Sequence, residues 1–305
     1  MSIRLPFLLA LSAITLTPGA AFAQPLTFEK SVTVGSSPSL DVTTGRGSVV
    51  VRGGSGSAVV VKGTVAVRRG SNVPSNAAEL ARQVVASPPI VQEGDAVKVG
   101  RITDEATRRA VSISYEISVP AATSVVAGSG SGNVSVTGVS AAVKATSGSG
   151  DVIASAIGGD VAARTGSGNI RVTDVKKAAS LSTGSGNIEA ALTGAGDVKA
   201  TTGCGDIELT GVNGVLAAST GSGSIGVAGT PTGDWKVSAA SGDLIVAVPS
   251  EKGFTLDAST SSGTLDVAAP LTVQGKIERR RIQGTIRGGG PTLRLSTASG
   301  DITVR

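Results

Sequence analysis

An all-β, single-chain parallel β-solenoid is the fold class predicted by three observations in this 305-residue sequence. A glycine phrase recurs as GSGNV at 130–134, GSGDV at 148–152, GSGNI at 166–170 and 184–188, GCGDI at 203–207 and GSGSI at 221–225. Its second glycines, Gly132, Gly150, Gly168, Gly186, Gly205 and Gly223, recur every 18 or 19 residues, a period that marks a stacked repeat. Within it runs an apolar step of nine or ten, through Val134, Val143, Val152, Val161, Ile170, Ala179, Ile188 and Val198. Aromatics make up only 2% of the chain, which suits a lumen filled by one layer of Val, Ile or Ala per strand.

The nine-residue step sets the shape of the coil. Each apolar position is usually followed two places on by another, as in Val136, Ala145, Ala154 and Val172, and such alternation is a half-buried strand. A coil of about 18–19 residues is then two short strands and two turns, whereas a hexapeptide β-helix would show a step of six. Glycine at the corners adopts positive φ or a tight bend without a Cβ penalty, and the residue after it bonds nearby backbone. We therefore assign Gly132, Asn133, Gly150, Asp151, Gly168, Asn169, Gly186, Asn187, Gly205, Asp206 and Gly223 to structural turns.

Three segments follow from composition. Residues 1–23 read as a secretory signal, with Arg4, an apolar run from Leu5 to Leu16 and an Ala21-Phe22-Ala23 cleavage site. The expected location is the periplasm, the outer surface or the medium, with no transmembrane segment. Residues 24–126 read as N-terminal solenoid coils: Gly45-Arg46-Gly47-Ser48-Val49 is an early copy of the phrase, and a helix is expected at 75–86. Asn76 would cap that helix and Leu80 with Val84 would form its apolar face. Arg101 to Arg109 reads as a charged loop. Residues 127–305 are the regular repeats and their closing coils, looser after Leu244 and carrying Arg279-Arg280-Arg281.

Charge is uneven: 11 Lys/Arg against 8 Asp/Glu in 24–126, 8 against 12 in 127–270, and 7 against 2 in 271–305. The basic end lacks aromatic residues for base stacking, so no nucleic-acid partner is expected. There is no histidine, which excludes Ser-His-Asp and Cys-His catalysis and imidazole metal ligation. The GxG phrase lacks the following helix of a dinucleotide loop. In the Asn/Asp column no two successive copies are both acidic, the opposite of a calcium-gathering repeat, so neither metal nor cofactor is expected. Cys204 replaces serine in its column; an intermolecular disulfide is the other reading.

One enzymatic device remains. Glu189 and Glu208 share an outward column one coil apart, a spacing near that of a retaining glycosidase, with Arg171 beside Glu189. A ladder of surface charges explains the same column without catalysis.

The phrases SGSGNV, TGSGNI and ASGDI, the YEISVP entry at 115–120 and the closing GTIRGGGPTLRLSTASGDITV resemble the bacterial β-strand-repeat family of adhesin-type domains of unknown function. The resemblance implies an exported β-solenoid and brings no catalytic residues. The expected function is a monomeric, non-enzymatic, adhesin-like or envelope structural module that meets an envelope polymer, glycan or protein. The alternative is a carbohydrate-active enzyme or polysaccharide-binding β-helix.

Overall fold

The computed structural model describes residues 26–100, 102–268, 271–273 and 280–305. The expected signal at 1–23, part of the corner Ala268-Ala269-Pro270, and Arg279 lie outside the described residues. Among those residues the strands form two sheets, one of 13 and one of 14 strands, and successive strands of the array alternate between them. Strand Val143–Ser149 lies in the second sheet, the chain turns at Gly150-Asp151, and Val152–Ile157 lies in the first. The next coil repeats this with Val161–Ser167 and Ile170–Val175, each pairing in parallel with its predecessor. The flattened, two-legged coil expected from the nine-residue step is the observed one.

Between the sheets the inward side chains form columns one residue wide. Val134, Val152, Ile170, Ile188, Ile207, Ile225, Leu244 and Ile302 are each at most 1% exposed. Each such side chain contributes about 1.5–3 kcal/mol through burial. Trp235 and Phe254 are both buried, and the Trp235 indole donates to the Gly214 carbonyl at 3.0 Å.

Only one of the two corners carries glycine in every layer. At the corner leading from the second sheet to the first, Gly132, Gly150, Gly168, Gly186, Gly205, Gly223, Gly242, Gly263 and Gly300 all have positive φ. A Cβ at Gly168 would stand 2.3 Å from the Gly150 carbonyl oxygen, and one at Gly186 would stand 2.1 Å from that of Gly168. The opposite corner is less regular but carries glycine in most coils, as in Gly158-Gly159 and Gly194-Ala195-Gly196, and in one coil it is Lys176-Lys177-Ala178, so glycine there is frequent rather than invariant.

Antiparallel strands cover both sheets at the N-terminal end and the second sheet at the other, edges that would otherwise template another chain, while the first sheet ends there on the parallel strand Leu265–Val267. At the N-terminal end Val49–Gly54 stacks directly on Val134–Thr137, so the early phrase is the first coil of the array. Strand Val111–Pro120 covers that coil, followed by Ala58–Val67 and Leu26–Thr33. Helix Ala77–Ala86 lies against these covering strands. Its buried face is Ala77, Ala81 and Val84, with Leu80 only half-buried. Asn76 makes no side-chain cap, because its own backbone (φ −89°, ψ 18°) is already close to helical. The expected loop at 101–109 contains a second helix, Glu105–Ala110, whose Asp104 side chain accepts from the Thr107 amide at 2.7 Å.

At the other end, strand order departs from chain order. Thr292–Ser299 inserts between Trp235–Ser241 and Phe254–Ser262, and Ile302–Val304 inserts between Leu244–Ala247 and Leu265–Val267. The last coil therefore sits inside the stack, and the earlier coil at 254–267 forms its outer layer, covered by Arg281–Ile286.

The glycine corner makes a direct prediction. Gly186→Ala will destabilise the protein by at least about 2 kcal/mol, since it adds backbone strain to a contact with fixed main chain. Gly56→Ala, where nothing stands within 4 Å of the new methyl, will change stability by less than about 0.5 kcal/mol. Urea unfolding followed by the fluorescence of Trp235, the chain's single tryptophan, reads both.

Candidate functional site

The residues singled out as turns build a continuous polar spine along the glycine corner. Asn133 Oδ1 accepts from the Asp151 amide at 3.0 Å, Asp151 Oδ1 from Asn169 at 2.8 Å, and Asn169 Oδ1 from Asn187 at 2.9 Å. Asn187 Oδ1 then accepts from Asp206 at 2.9 Å, and Asp206 Oδ1 from Ser224 at 2.8 Å. Asn and Asp alternate freely because an amide and a carboxylate present the same acceptor oxygen. The inserted last coil extends the spine through Asp243, Asp301 and Thr264, which makes Asp243 and Asp301 neighbours. The separation of acidic copies read from chain order thus fails at this one junction.

A second column went unrecognised in the sequence. The Ser or Thr two residues before each GSG serine points inward and is buried: Ser129, Ser147, Thr165, Thr183, Thr202 and Thr220. Each hydroxyl donates to the corner-glycine carbonyl of the preceding coil, as Thr165 does to Gly150 at 2.8 Å and Thr183 to Gly168 at 2.9 Å. The signal was available, since Thr165 shares the parity of Val161 and Ala163. In the register of the sheet Ala239 interrupts this column between Thr220 and Thr297.

On the outer face of the first sheet Arg171, Glu189 and Glu208 stand side by side on three successive strands, as the spacing required. Arg171 Nη2 lies 2.6 Å from Glu189 Oε2, with both side chains about half exposed. Such an exposed pair is worth about 0–1 kcal/mol. Glu189, Asp206 and Glu208 line a shallow groove of about 460 Å³, but one oxygen of Asp206 is committed to the spine. Among the described residues, no three His, Cys, Asp or Glu side chains gather as a metal site. Cys204 is exposed and falls in register between Ser185 and Ser222. Of the arginine cluster, Arg281 reaches Asp257 at 3.3 Å and Arg280 is exposed.

The outer face of the second sheet is different. Thr146, Arg164, Ser182, Thr201, Ser219 and Ser238 occupy one outward position on successive strands, about 4.8 Å apart, and Ser296 and Ser259 continue it. Beside this row runs a strip of bare main chain, Gly148, Gly166, Gly184, Gly203 and Gly221. On its other side an apolar groove of about 660 Å³ runs from Val126 to Ala217, with Lys144 and Lys199 on its wall.

These features define a repeat protein whose distinctive groups are spent on stacking and whose open surfaces are sheet faces. Residues 116–305 match the Toastrack DUF4097 family, and the chain belongs to it. The expected membership of a β-strand-repeat family of unknown function is borne out, with strands Leu26–Thr33 and Ala58–Val67 and both helices lying before the matched region. A candidate cell adhesion protein from Clostridium sporogenes ATCC 15579, known from a 1.95 Å crystal structure, is similar at 11% identity and a TM-score of 0.27. That comparison covers 91% of this chain and 98% of the other, and a score so low carries no argument about fold or activity. No curated protein matches the chain.

Two predictions follow from the spine and the hydroxyl column. Ala239→Thr will supply the missing donor to the Gly223 carbonyl and add about 1 kcal/mol of stability, while Thr183→Ala will remove about 1–2 kcal/mol, both by urea unfolding. The Thr264 amide, followed by its hydroxyl, holds the Asp301 pKa below its ordinary 3.8. A lowered folded-state pKa contributes stability that is full above the unfolded value and is lost as pH falls through the folded one. Asp301→Asn keeps the acceptor and removes the titration, so thermal unfolding between pH 5 and about pH 2 will depend less on pH than in the unaltered chain.

Proposed function

We propose that the chain is a non-enzymatic, exported, adhesin-like interaction module whose outer second-sheet face receives an extended envelope polymer. One observation supports this most: hydroxyls recur at the strand spacing from Thr146 to Ser259, interrupted only by Arg164, beside a strip of main chain with no side chains. A polymer lying along the stack would meet the same donors and acceptors at every coil, so many weak contacts add along its length. Lys144, Lys199, Lys236 and Arg294 border the shelf and favour a polymer with acidic groups. The signal-like residues 1–23 support export, and among the described residues no helix is long and apolar enough to cross a membrane.

The carbohydrate-active reading rests on Glu189 and Glu208, and the Arg171 ion pair that ties Glu189 down disfavours it. Incubation of the purified protein with isolated cell-wall fractions and soluble glycans, followed by pull-down, tests both. The unaltered chain will be retained by a polymeric fraction, and the triple variant Ser182→Glu, Thr201→Glu, Ser219→Glu will be retained at least tenfold less. Retention by no fraction would replace this reading with a purely structural one. Shortening of a glycan that disappears in Glu189→Ala or Glu208→Ala would establish the enzyme instead.

A further inference from the structure

A second, unrelated site lies at the N-terminal end of the stack and does not depend on the reading of the outer face. Buried polar groups in folded proteins almost always have a hydrogen-bond partner, so an exception needs a cause. Among the described residues one buried side-chain polar atom has none, the hydroxyl of Tyr115. Tyr115 is the single tyrosine of the chain and is 1% exposed on strand Val111–Pro120. Its ring is held edge-on to Phe28, with centroids 6.4 Å apart and planes at 66°. Burial pushes its pKa far above the ordinary 10, so the hydroxyl stays protonated and able to donate.

The ring lines a cavity of about 530 Å³, within the range of small-molecule sites. Gly100 packs beside the hydroxyl: a methyl there would stand 3.2 Å from the Tyr115 oxygen and 2.0 Å from the Thr43 carbonyl oxygen. The cavity also takes in Arg46, from the turn of the first coil, and Arg108, from the short helix. Neither guanidinium has an ion-pair partner among the described residues. Asp104, whose pKa is lowered first by the Thr107 hydroxyl and amide and least by Arg108, is engaged as the helix cap by Thr107. The remaining wall combines the apolar side chains of Ile102, Val111, Ile113 and Val126 with Thr43, Thr44, Ser129 and Thr146.

We propose that this cavity binds a small amphiphilic anion, an alkyl carboxylate, with its carboxylate between Arg46, Arg108 and the Tyr115 hydroxyl and its chain against Ile113 and Val126. An orphan donor and two cations in one cavity with Ile102, Val111, Ile113 and Val126 match the two ends of such a molecule. A guanidinium and a carboxylate form charge-assisted hydrogen bonds that neither an alcohol nor an alkane can replace.

The lone tyrosine is also the reporter. With ring-labelled tyrosine the full chain gives one tyrosine ring resonance, and titration with decanoate will move it saturably. Decanol and inorganic phosphate, which carry one end of the molecule each, will move it at least tenfold less at equal concentration. Arg46→Gln with Arg108→Gln, both exposed and away from the core, will weaken decanoate at least tenfold. In a thermal-shift measurement Tyr115→Phe will unfold at or above the temperature of the unaltered chain without ligand, and will lose the rise that decanoate produces. An unmoved resonance, or decanoate binding that the arginine pair does not affect, overturns the proposal. Phosphate binding as well as decanoate removes the alkyl chain from it.

Discussion

The structure depends on one close approach. At each corner leading from the second sheet to the first, the carbonyl of one coil's glycine occupies the place where the next coil's Cβ would be, between 2.0 and 2.5 Å away. Only a residue without a side chain permits coils to stack there at strand spacing, and nine consecutive layers from Gly132 to Gly263 comply. The first glycine of the phrase is less strict: its column changes to Ala240, Ala298 and Ser261 in the last three layers. The same carbonyl then serves as acceptor for the buried hydroxyl of the next coil, and the following Asn or Asp accepts the next amide. Steric fit and hydrogen bonding thus act on a single atom per layer.

That economy explains why so much of the phrase proved structural. Its glycine, its Asn or Asp and the Thr before it are all engaged between coils, and only the outward positions of the strands remain free to vary. The two outer faces have diverged accordingly. One carries the charged row of Arg171, Glu189 and Glu208 and the other a row of hydroxyls, although both rest on the same inward columns.

The repeat unit was legible because its causes are local. Period-two alternation, the half-step of nine and the positive-φ glycines each act within one coil, so strands and corners could be placed from Val134 to Leu244. Contacts between distant segments were not legible. The phrases at 241–244, 262–265 and 299–302 are nearly identical, so nothing in them reveals that the third lies between the other two. The neighbouring Asp243 and Asp301 escaped notice for that reason. The Tyr115 cavity joins residues near 45, 100, 115 and 128, and nothing in the phrases at 45–49, 115–120 and 130–134 reveals that they meet there. The helix at Glu105–Ala110 was missed despite its Asp cap, because six charged or small residues lack an apolar stripe.

The inserted last coil has a mechanical consequence. A strand at the rim of a sheet has one neighbour, and a load on it can break its bonds one at a time. Thr292–Ser299 and Ile302–Val304 each have a parallel partner on both sides. Tension entering after Val304 would run along these strands and would have to shear two rows of bonds in both sheets together. Resistance to pulling is set by the rate of unfolding rather than by equilibrium stability. The topology therefore gives the last coil the same two-sided hold as the coils in the interior of the array.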